Sequence, residues 1–443
     1  MKKLLYLLLT ALIVFASCNN NVQTGVHPDW SYNAVIYEMN IRQYTAEGTF
    51  AAAQEHLPRL KNLGVDVIWL MPVYPIGVKE RKGTLGSYYA ISDYCAINPE
   101  FGTMRDFRKF LDAAHQQGFK VILDWVANHT SPDAEWINKR PADWYVRDSA
   151  GNTIVQYDWT DIAKLNYDNT DMRKEMDRSM RFWLDQGIDG FRCDMACEVP
   201  LDFWREVIPA QRKDYPGIFF LAEGEDPGLH QDAFDASYTW ELHHLMNAVA
   251  REEKTAADIK AYVLEDQKRM PRSAFRLMFT SNHDENSWAG SEYERMGLAS
   301  HTMAMLTFVL PQGMPLIYTG QEIGLDRRLK FFEKDPIEDW TETPMADLYR
   351  SLIALRHDNP ALASGEKGGQ AVFPEDPSMP EQVLYFSREV KGNKVIVMAN
   401  LSSNDVSFSF PLDGVYKEYL RGHEYHKGEE VTLPTWHWLI FVI

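Results

Sequence analysis

The sequence of 443 residues contains few cysteines, has fewer basic than acidic side chains, and lacks a long apolar run outside its N-terminus. Its four cysteines, Cys18, Cys95, Cys193 and Cys197, are scattered and match neither a disulfide framework nor a zinc site. Lysine and arginine total 45 against 63 aspartates and glutamates, so the net charge is −18. Such an acidic chain repels phosphate backbones, and no nucleic-acid partner is expected. No later segment approaches about eighteen consecutive apolar residues, which excludes a membrane-spanning helix there.

The N-terminus has the pattern of an export signal. Two lysines precede an apolar run of twelve residues, Leu4–Phe15, which is too short for a bilayer core of ~30 Å but typical of a signal peptide. The small residues before Cys18 resemble a bacterial lipoprotein signal. We therefore predict a signal peptide at 1–18, a tether at 19–32, and an exported lipoprotein of the bacterial cell envelope, periplasmic or surface-exposed. A lipid anchor would be its sole membrane contact.

Between residues 33 and 360, short apolar runs alternate with helical patterns. Val65–Met71 is almost continuously apolar, as expected of a strand covered on both faces. Further strands are predicted to begin near residues 34, 121, 189, 218, 238, 275 and 316. Eight strand–helix units in roughly 250–330 residues are typical of an α/β protein with a (β/α)8 TIM barrel.

Two stretches depart from the repeating unit. The third and fourth predicted strands begin near residues 121 and 189, 68 residues apart, which is longer than the other intervals. We interpret 130–169 as a small inserted subdomain over the barrel's catalytic face. From residue 361 to 443, short alternating runs separated by turns predict a C-terminal all-β sandwich domain. The catalytic barrel, including the insert, is thus predicted at 33–360.

Polar side chains cluster where the predicted barrel strands end. The third strand is followed by Asn128-His129, the fourth contains Arg192 and Asp194, the fifth leads to Glu223, and the seventh leads to Asn282-His283-Asp284. Catalytic groups of TIM barrels lie at these carboxyl ends, so the three carboxylates are expected to converge on one cavity. Two carboxylates about 5–5.5 Å apart are what retaining glycoside hydrolysis requires.

These stretches carry a family resemblance. Five motifs occur in the same order as in the α-amylase family, glycoside hydrolase family 13: Gly86–Tyr94, Asp124–His129, Gly190–Asp194, Ala222-Glu223 and Ser281–Asp284. The resemblance runs from about residue 33 to the C-terminus. It implies a retaining α-glucan hydrolase that cleaves α-1,4 linkages of starch-derived polysaccharides or maltooligosaccharides through a covalent glycosyl–enzyme intermediate.

Two alternatives stay open at this stage. One is an α-1,6-preferring glucosidase or a transglycosylase of the same family, since the sequence does not decide whether water or another sugar meets the intermediate. The other is a non-catalytic amylase-like protein that binds sugar or serves as a scaffold. Relatives of that kind usually lose the acidic residues, whereas all three are present in this chain.

The resemblance implies the role of each catalytic residue. Asp194 is the expected nucleophile, Glu223 the general acid and then base with an elevated pKa, and Asp284 a residue that binds sugar hydroxyls more tightly in the transition state. Arg192, two residues before Asp194 and therefore on the same strand face, is expected to keep that carboxylate ionised, held in turn by Asp93.

The resemblance also implies which residues bind the substrate, and a calcium ion has to be considered as well. His129 and His283 are expected to donate hydrogen bonds to the sugar ring, and Tyr89 to stack beneath it. No cofactor is expected for the chemistry. Many starch-cleaving members carry Lys-His shortly after the nucleophile; here that pair is absent, which leaves Glu198 or Glu225 as candidate leaving-group contacts. A structural calcium ion is an open alternative, since Asn128 and Asn166 offer side-chain oxygens that calcium accepts.

Overall fold

The computed structural model describes residues 27–443, so the predicted signal peptide and Cys18 lie outside the described residues. Eight parallel strands close into a barrel. They are β1 Ile36–Met39, β2 Val67–Leu70, β3 Lys120–Val126, β4 Gly190–Asp194, β5 Phe219–Ala222, β6 Ala236–Tyr238, β7 Phe275–Met278 and β8 Gly313–Tyr318. Each strand pairs with the next in the chain, and β8 pairs with β1. The predicted TIM barrel is confirmed.

Twelve α-helices lie within residues 27–443. They are α1 Ile41–Tyr44, α2 Phe50–Gln54, α3 Leu57–Leu63, α4 Met104–Gln116, α5 Glu135–Lys139, α6 Thr170–Leu184, α7 Leu201–Asp214, α8 Trp240–Ala250, α9 Ala256–Arg269, α10 Glu292–Met296, α11 Ser300–Val309 and α12 Pro344–Asp358. Helix α4 begins with a capping box between Thr103 and Asp106 and buries Phe107, Phe110 and Leu111 on one side. In this part of the chain no helix has both the length and the apolarity to cross a bilayer.

Alternation along the strands decides what points into the barrel. Apolar residues such as Ile36 of β1 and Leu221 of β5 form a core inside it, while their neighbours pack against the helices. Towards the carboxyl end of β4 the inward positions become polar. Gly190 begins this strand because a Cβ there would lie 1.9 Å from the Phe219 carbonyl oxygen of β5. The inward-facing positions therefore form an apolar core within the barrel and become polar at the carboxyl end of β4.

The insert after β3 and the C-terminal region form separate small sheets. In the insert, His129–Thr130 pairs antiparallel with Ala163–Lys164. The C-terminal strands are β9 Ala371–Val372, β10 Val383–Val390, β11 Asn393–Asn400, β12 Val406–Ser409, β13 Val415–Lys417, β14 Glu424–His426, β15 Glu430–Leu433 and β16 Trp438–Val442. They form a four-stranded sheet in the order β9-β10-β11-β16 and two antiparallel pairs, β12 with β15 and β13 with β14. This arrangement confirms the all-β fold predicted for the C-terminal region.

The first described residues lie across the amino ends of the barrel strands. His27 contacts Asp235, which precedes β6, through Nδ1 at 2.7 Å, and its Nε2 donates to the Ser273 carbonyl oxygen before β7 at 2.8 Å. The indole N–H of Trp30 donates to the carbonyl of Gly217, just before β5. The chain therefore enters the barrel at the face opposite the carboxyl ends of the strands.

Candidate active site

A cleft of about 650 Å³ opens at the carboxyl ends of the barrel strands. Six of the seven predicted site residues line it: Tyr89, His129, Asp194, Glu223, His283 and Asp284. The seventh, Arg192, is fully buried and contacts two of them from below. The structure thus brings the seven predicted site residues together.

One guanidinium joins the carboxylates at the floor of the cleft. Nη1 of Arg192 donates to Asp194 Oδ1 and to Asp124 Oδ1, each at 2.9 Å. Its Nη2 lies 2.8 Å from Glu223 Oε2 and forms an ion pair with it. Arg192 therefore holds Asp194 by a hydrogen bond and Glu223 by charge attraction, which places the two carboxylates beside one guanidinium.

The electrostatics of this pair differ from the expectation. Burial and the neighbouring charge of Glu223 raise the pKa of Asp194 well above its ordinary value, against the attraction of Arg192. Burial also acts to raise the pKa of Glu223, but the Arg192 guanidinium and the Met195 N–H outweigh it, and the net direction is downward. The two pKa shifts therefore run opposite to the expectation, in which Arg192 keeps Asp194 ionised and Glu223 has the elevated pKa.

The backbone after β4 turns sharply to serve Glu223. Met195 has φ 44°, in the left-handed region that non-glycine residues rarely adopt. This conformation directs its N–H to Glu223 Oε2 at 2.9 Å, and the next N–H, of Ala196, bonds to the Glu223 carbonyl oxygen at 3.1 Å. Backbone strain of about 1–3 kcal/mol persists where the surrounding structure fixes it, as at catalytic sites.

His283 is held as an imidazolium. Its Nδ1 lies 2.5 Å from Oε1 of Glu38, a buried residue of β1, and its Nε2 lies 3.3 Å from Asp284 Oδ2. Burial acts to lower the pKa of His283, but the charges of Asp284 and Glu38 raise it to about 9. Both ring nitrogens consequently carry hydrogens near neutral pH.

Tyr89 connects this histidine to the arginine. Its hydroxyl accepts a hydrogen bond from Nε2 of His283 at 2.7 Å and donates one to Asp124 Oδ2 at 3.0 Å. The ring lines the cleft and is nearly parallel to that of Phe331, at 13° and 6.5 Å between centroids. Its position fits the predicted stacking beneath a sugar, and its hydroxyl orients Asp124.

His129 and Asp284 contribute from two other loops. Burial lowers the pKa of His129 to about 4, so the ring is neutral. The amide of Asn128 lies 3.1 Å from Nδ1 of His129 and donates to it, which assigns the ring hydrogen to Nε2. Asp284 keeps 38% of its side chain exposed, within the cleft that it lines. A neutral donor and an accessible acceptor are thus available to a ligand.

Asp93 does not have its predicted role. Asp124, on β3, bonds to Arg192, and the two residues are paired in the strand register. Asp93 lies in the loop after β2, and its Oδ1 instead accepts a hydrogen bond from the backbone N–H of Cys95 at 2.8 Å. The prediction was wrong because proximity across the barrel follows strand register, not membership of a motif.

Glu198 and Glu225 are likewise engaged away from the cleft. Glu198 accepts hydrogen bonds from Gln156 Nε2 at 2.8 Å and Tyr157 Oη at 3.1 Å, and Glu225 pairs with Arg276 at 3.2 Å. Neither side chain lines the cleft. The expected leaving-group contacts therefore do not come from these two carboxylates in this conformation.

The cleft also contains residues that the sequence analysis did not select. They are Lys82, Ser87, Asp158, Trp159, Asp161, Ile162, Met195, Trp288, Phe331 and Phe332. Lys82 reaches from the loop after β2 to Asp161 of the insert, with 3.4 Å between Nζ and Oδ1. Apart from Ser87, which belongs to the motif Gly86–Tyr94, these residues lie outside the five motifs, and their main signal in the sequence was the aromatic content of the loops.

Asn128 and Asn166, the residues considered for calcium, both use side-chain atoms in hydrogen bonds within the protein. Asn128 uses its amide nitrogen on Gln156 at 2.7 Å, and Oδ1 of Asn166 accepts from the Asp168 N–H at 3.1 Å. His129, the residue after Asn128, pairs across the small sheet of the insert with Lys164, whose side chain is a cation. Within residues 27–443 no three side chains of His, Cys, Asp or Glu are grouped as a metal site requires, whereas calcium takes 6–8 oxygens, several of them from carboxylates.

Known proteins with this organisation cover nearly the whole chain. An alpha-amylase MalA from Haloarcula japonica is 29% identical over 402 residues, 87% of this chain, which spans 58% of that relative. The crystal structure of an alpha-amylase from Lactobacillus plantarum superposes with a TM-score of 0.82 at 29% identity, covering 94% of this chain and 99% of that one. A noncanonic maltogenic alpha-amylase AmyB from Thermotoga neapolitana gives 0.81 at 27% identity, covering 93% and 96%. The family model of the alpha amylase catalytic domain matches residues 15–151 and 138–353, and the chain therefore belongs to the α-amylase family.

Proposed function

We propose that the protein is a retaining glycoside hydrolase that cleaves α-1,4 linkages of maltooligosaccharides and related α-glucans. The observation that carries the proposal is the single guanidinium of Arg192, which touches both Asp194 and Glu223 at the floor of an open cleft. Two carboxylates held in one place suit a covalent double displacement. The similarity to alpha-amylases, which covers 87–94% of this chain, supports the substrate class.

In the first step, Asp194 attacks the anomeric carbon while Glu223 donates a proton to the departing glycosidic oxygen. In the free site the pKa of Asp194 is raised and that of Glu223 is lowered, whereas this step needs the proton on Glu223. Both arrangements of the singly protonated pair have the same net charge, so a proton shift between the two carboxylates prepares the site without uptake from solvent. The pair must therefore hold one proton for activity.

In the second step, Glu223 as a carboxylate takes a proton from water, which displaces Asp194 from the anomeric carbon. The product keeps the configuration of the substrate because the carbon has been inverted twice. His283, charged and fixed by Glu38, and Asp284, exposed to the cleft, are placed to bind the hydroxyls of the reacting sugar. Tyr89 supplies an apolar ring face for the same sugar.

The anomer released first tests the proposal. Maltoheptaose incubated with the enzyme should release α-anomeric sugars before mutarotation, as followed by proton NMR, and initial β-anomer would overturn the retaining mechanism. Pullulan and panose in parallel measure α-1,6 cleavage, and labelled glucose as acceptor measures transfer. Predominant cleavage of panose, or predominant transfer, would replace α-1,4 hydrolysis by one of those activities.

We further propose that the chain is exported and anchored through a lipid on Cys18. The described chain begins at the barrel face opposite the cleft, where His27 bonds to Asp235, so a tether attached there would leave the cleft accessible to large glucans. Metabolic labelling with radioactive palmitate should mark the wild type and leave Cys18→Ser unlabelled and released from the membrane fraction. Equal membrane association of the two forms would overturn the anchor.

A further inference from the structure

The backbone that carries Glu223 is held between two strands. The Glu223 N–H donates to the Cys193 carbonyl oxygen of β4 at 3.0 Å, and the Gly224 carbonyl oxygen accepts from the Tyr238 N–H of β6 at 3.1 Å. A Cβ at Gly224 would lie 2.3 Å from Sγ of Cys197, so a side chain does not fit at this position. Glu223 therefore begins a short segment whose path leaves little room for adjustment.

Two residues further on, Glu225 attaches this segment to the elements outside the barrel. Its Oε1 accepts a hydrogen bond from Nη2 of Arg276, a residue of β7, at 3.2 Å, and its Oε2 accepts one from the N–H of Glu241 at 3.0 Å. Glu241 lies in the first turn of α8, where N–H groups have no partner within the helix and a carboxylate is favourable. Both carboxylate oxygens of Glu225 are therefore engaged.

Arg276 is itself fixed by α9 and β6. The side chain is fully buried. Its Nε and Nη2 donate to the two carboxylate oxygens of Asp266 in α9, at 3.1 and 3.2 Å, and its Nη1 donates to Ser237 Oγ in β6. Its neighbours Phe275 and Leu277 belong to the core inside the barrel, so Arg276 points outwards, between the strands and the helices. A buried guanidinium with several fixed partners provides a rigid support for the segment after β5.

Two buried arginines therefore support the position of Glu223 from opposite sides of the barrel wall. Arg192, inside the barrel, lies 2.8 Å from the Glu223 carboxylate, and Arg276, outside it, holds Glu225. Tyr238 connects the two sides, because its N–H bonds to the carbonyl of the residue after Glu223 and its hydroxyl accepts from Arg192 Nε at 3.1 Å. Neither Glu225 nor Arg276 lines the cleft, so an effect of these residues on the reaction passes through the position of Glu223.

We infer that Glu225, held by Arg276, is a positioning residue that orients the Glu223 carboxylate towards the departing glycosidic oxygen. The inference rests on the proposed function and deepens it, because it assigns a part in proton transfer to a group outside the cleft. A general acid must lie within hydrogen-bond reach of the oxygen that it protonates, and a small misplacement lowers the rate about tenfold or more. Glu225 should therefore matter for substrates whose leaving group needs a proton.

The test compares two leaving groups. Glu225→Gln keeps the shape of the side chain but removes its charge, and should lower kcat/KM on maltoheptaose about tenfold. Fluoride leaves α-maltosyl fluoride without protonation, so kcat/KM on this substrate should change less than about twofold. Glu175→Gln, the matched control, alters a similarly buried carboxylate (side chain 15% exposed, against 22% for Glu225) that pairs with Arg140 away from the cleft, and should leave both substrates unchanged. Equal losses on the two substrates, or no loss on maltoheptaose, would overturn the positioning role.

A double-mutant cycle measures whether Glu225 acts through Glu223. In the Glu223→Gln background the general acid is already absent, so adding Glu225→Gln should lower kcat/KM on maltoheptaose less than about twofold. A further loss of about tenfold would show independent effects and overturn the inference. If the wild type hydrolyses maltoheptaose and the variants follow either contrary pattern, only the positioning role fails. If the wild type hydrolyses neither substrate, the proposed function fails and the positioning role falls with it.

Discussion

Glu38 and His283 form a buried ion pair, with 2.5 Å between Oε1 and Nδ1, although they are 245 residues apart in the chain. Glu38 is fully buried on β1, and its Oε2 has no hydrogen-bond partner within residues 27–443. The other nitrogen of His283 contacts Tyr89 and Asp284. The charge of Glu38 therefore acts on the cleft through His283, which makes Glu38 a positioning residue.

Glu38→Gln should lower the pKa of His283 while preserving the shape of the side chain at position 38. We expect the pKa of His283 to fall from about 9, since the charge and hydrogen bond of Glu38 no longer oppose burial, although the charge of Asp284 remains. A ring-nitrogen NMR titration measures this change. The stabilisation conferred by the imidazolium is complete below pH 6.5 and disappears as the pH rises through 9, so the variant should lose about 1–3 kcal/mol at pH 6 and less at pH 9.

A second histidine–carboxylate pair provides the control for that prediction. Asp235 and His27 pair at 2.7 Å on the opposite face of the barrel. Asp235→Asn should reduce stability but leave the pH dependence of kcat/KM unchanged, whereas Glu38→Gln should change both. A His283 that still titrates near pH 9 in Glu38→Gln would contradict the assigned role.

Asp124→Asn and Asp93→Asn should separate the residue that holds Arg192 from the one that the motif suggested. Removing the charge of Asp124 weakens a fully buried network with Arg192 and Tyr89, and we expect a loss of about 3 kcal/mol in the free energy of unfolding and a fall in kcat. Asp93→Asn changes a carboxylate in the loop after β2 and should cost less than about 1 kcal/mol. Urea denaturation measures both, and equal losses would contradict the structural assignment.

The sequence was sufficient for the parts of the fold that obey a local rule. Eight apolar runs predicted eight barrel strands, because each buried parallel strand is marked by its own residues. Arg192 and Asp194 were correctly placed on one face, since side chains alternate along a strand. Their convergence with Glu223 followed from the rule that the carboxyl ends of barrel strands meet.

The sequence was insufficient where a contact depends on register or on loop shape. Glu38 meets His283 only because β1 closes the barrel beside β8, near the end of β7, and no spacing in the chain reports this contact. Trp288 lies in a π-helical turn, Glu285–Ala289, and is exposed, and the composition of this segment does not indicate such a turn. The opposite pKa shifts of Asp194 and Glu223 depend on burial and on where the Arg192 guanidinium lies between them. The sequence does not report that position.

Chelation should leave the fold unaffected. Lys164, a cation, pairs in register with His129, and no three side chains of His, Cys, Asp or Glu are grouped as a metal site within residues 27–443, so we propose that the protein has no calcium requirement. Melting temperature and kcat should change by less than the measurement error when excess EDTA is replaced by millimolar calcium. A rise of several degrees with calcium would restore the structural-calcium alternative, and Asn128→Ala would then locate the ion.

A substrate that needs no general acid tests whether Asp194 is the nucleophile and Glu223 the general acid. Fluoride departs from α-maltosyl fluoride without protonation, so Glu223→Gln should lose about 10³-fold in kcat/KM on maltoheptaose but far less on the fluoride. Asp194→Asn should lose at least about 10³-fold on both, because the amide cannot form the covalent intermediate.

In the wild type, activity on maltoheptaose should fall as rising pH removes the proton that the pair shares, and this basic limb should be absent when Glu223→Gln hydrolyses the fluoride. The opposite pattern, in which Asp194→Asn retains fluoride hydrolysis and Glu223→Gln loses it, would exchange the two roles.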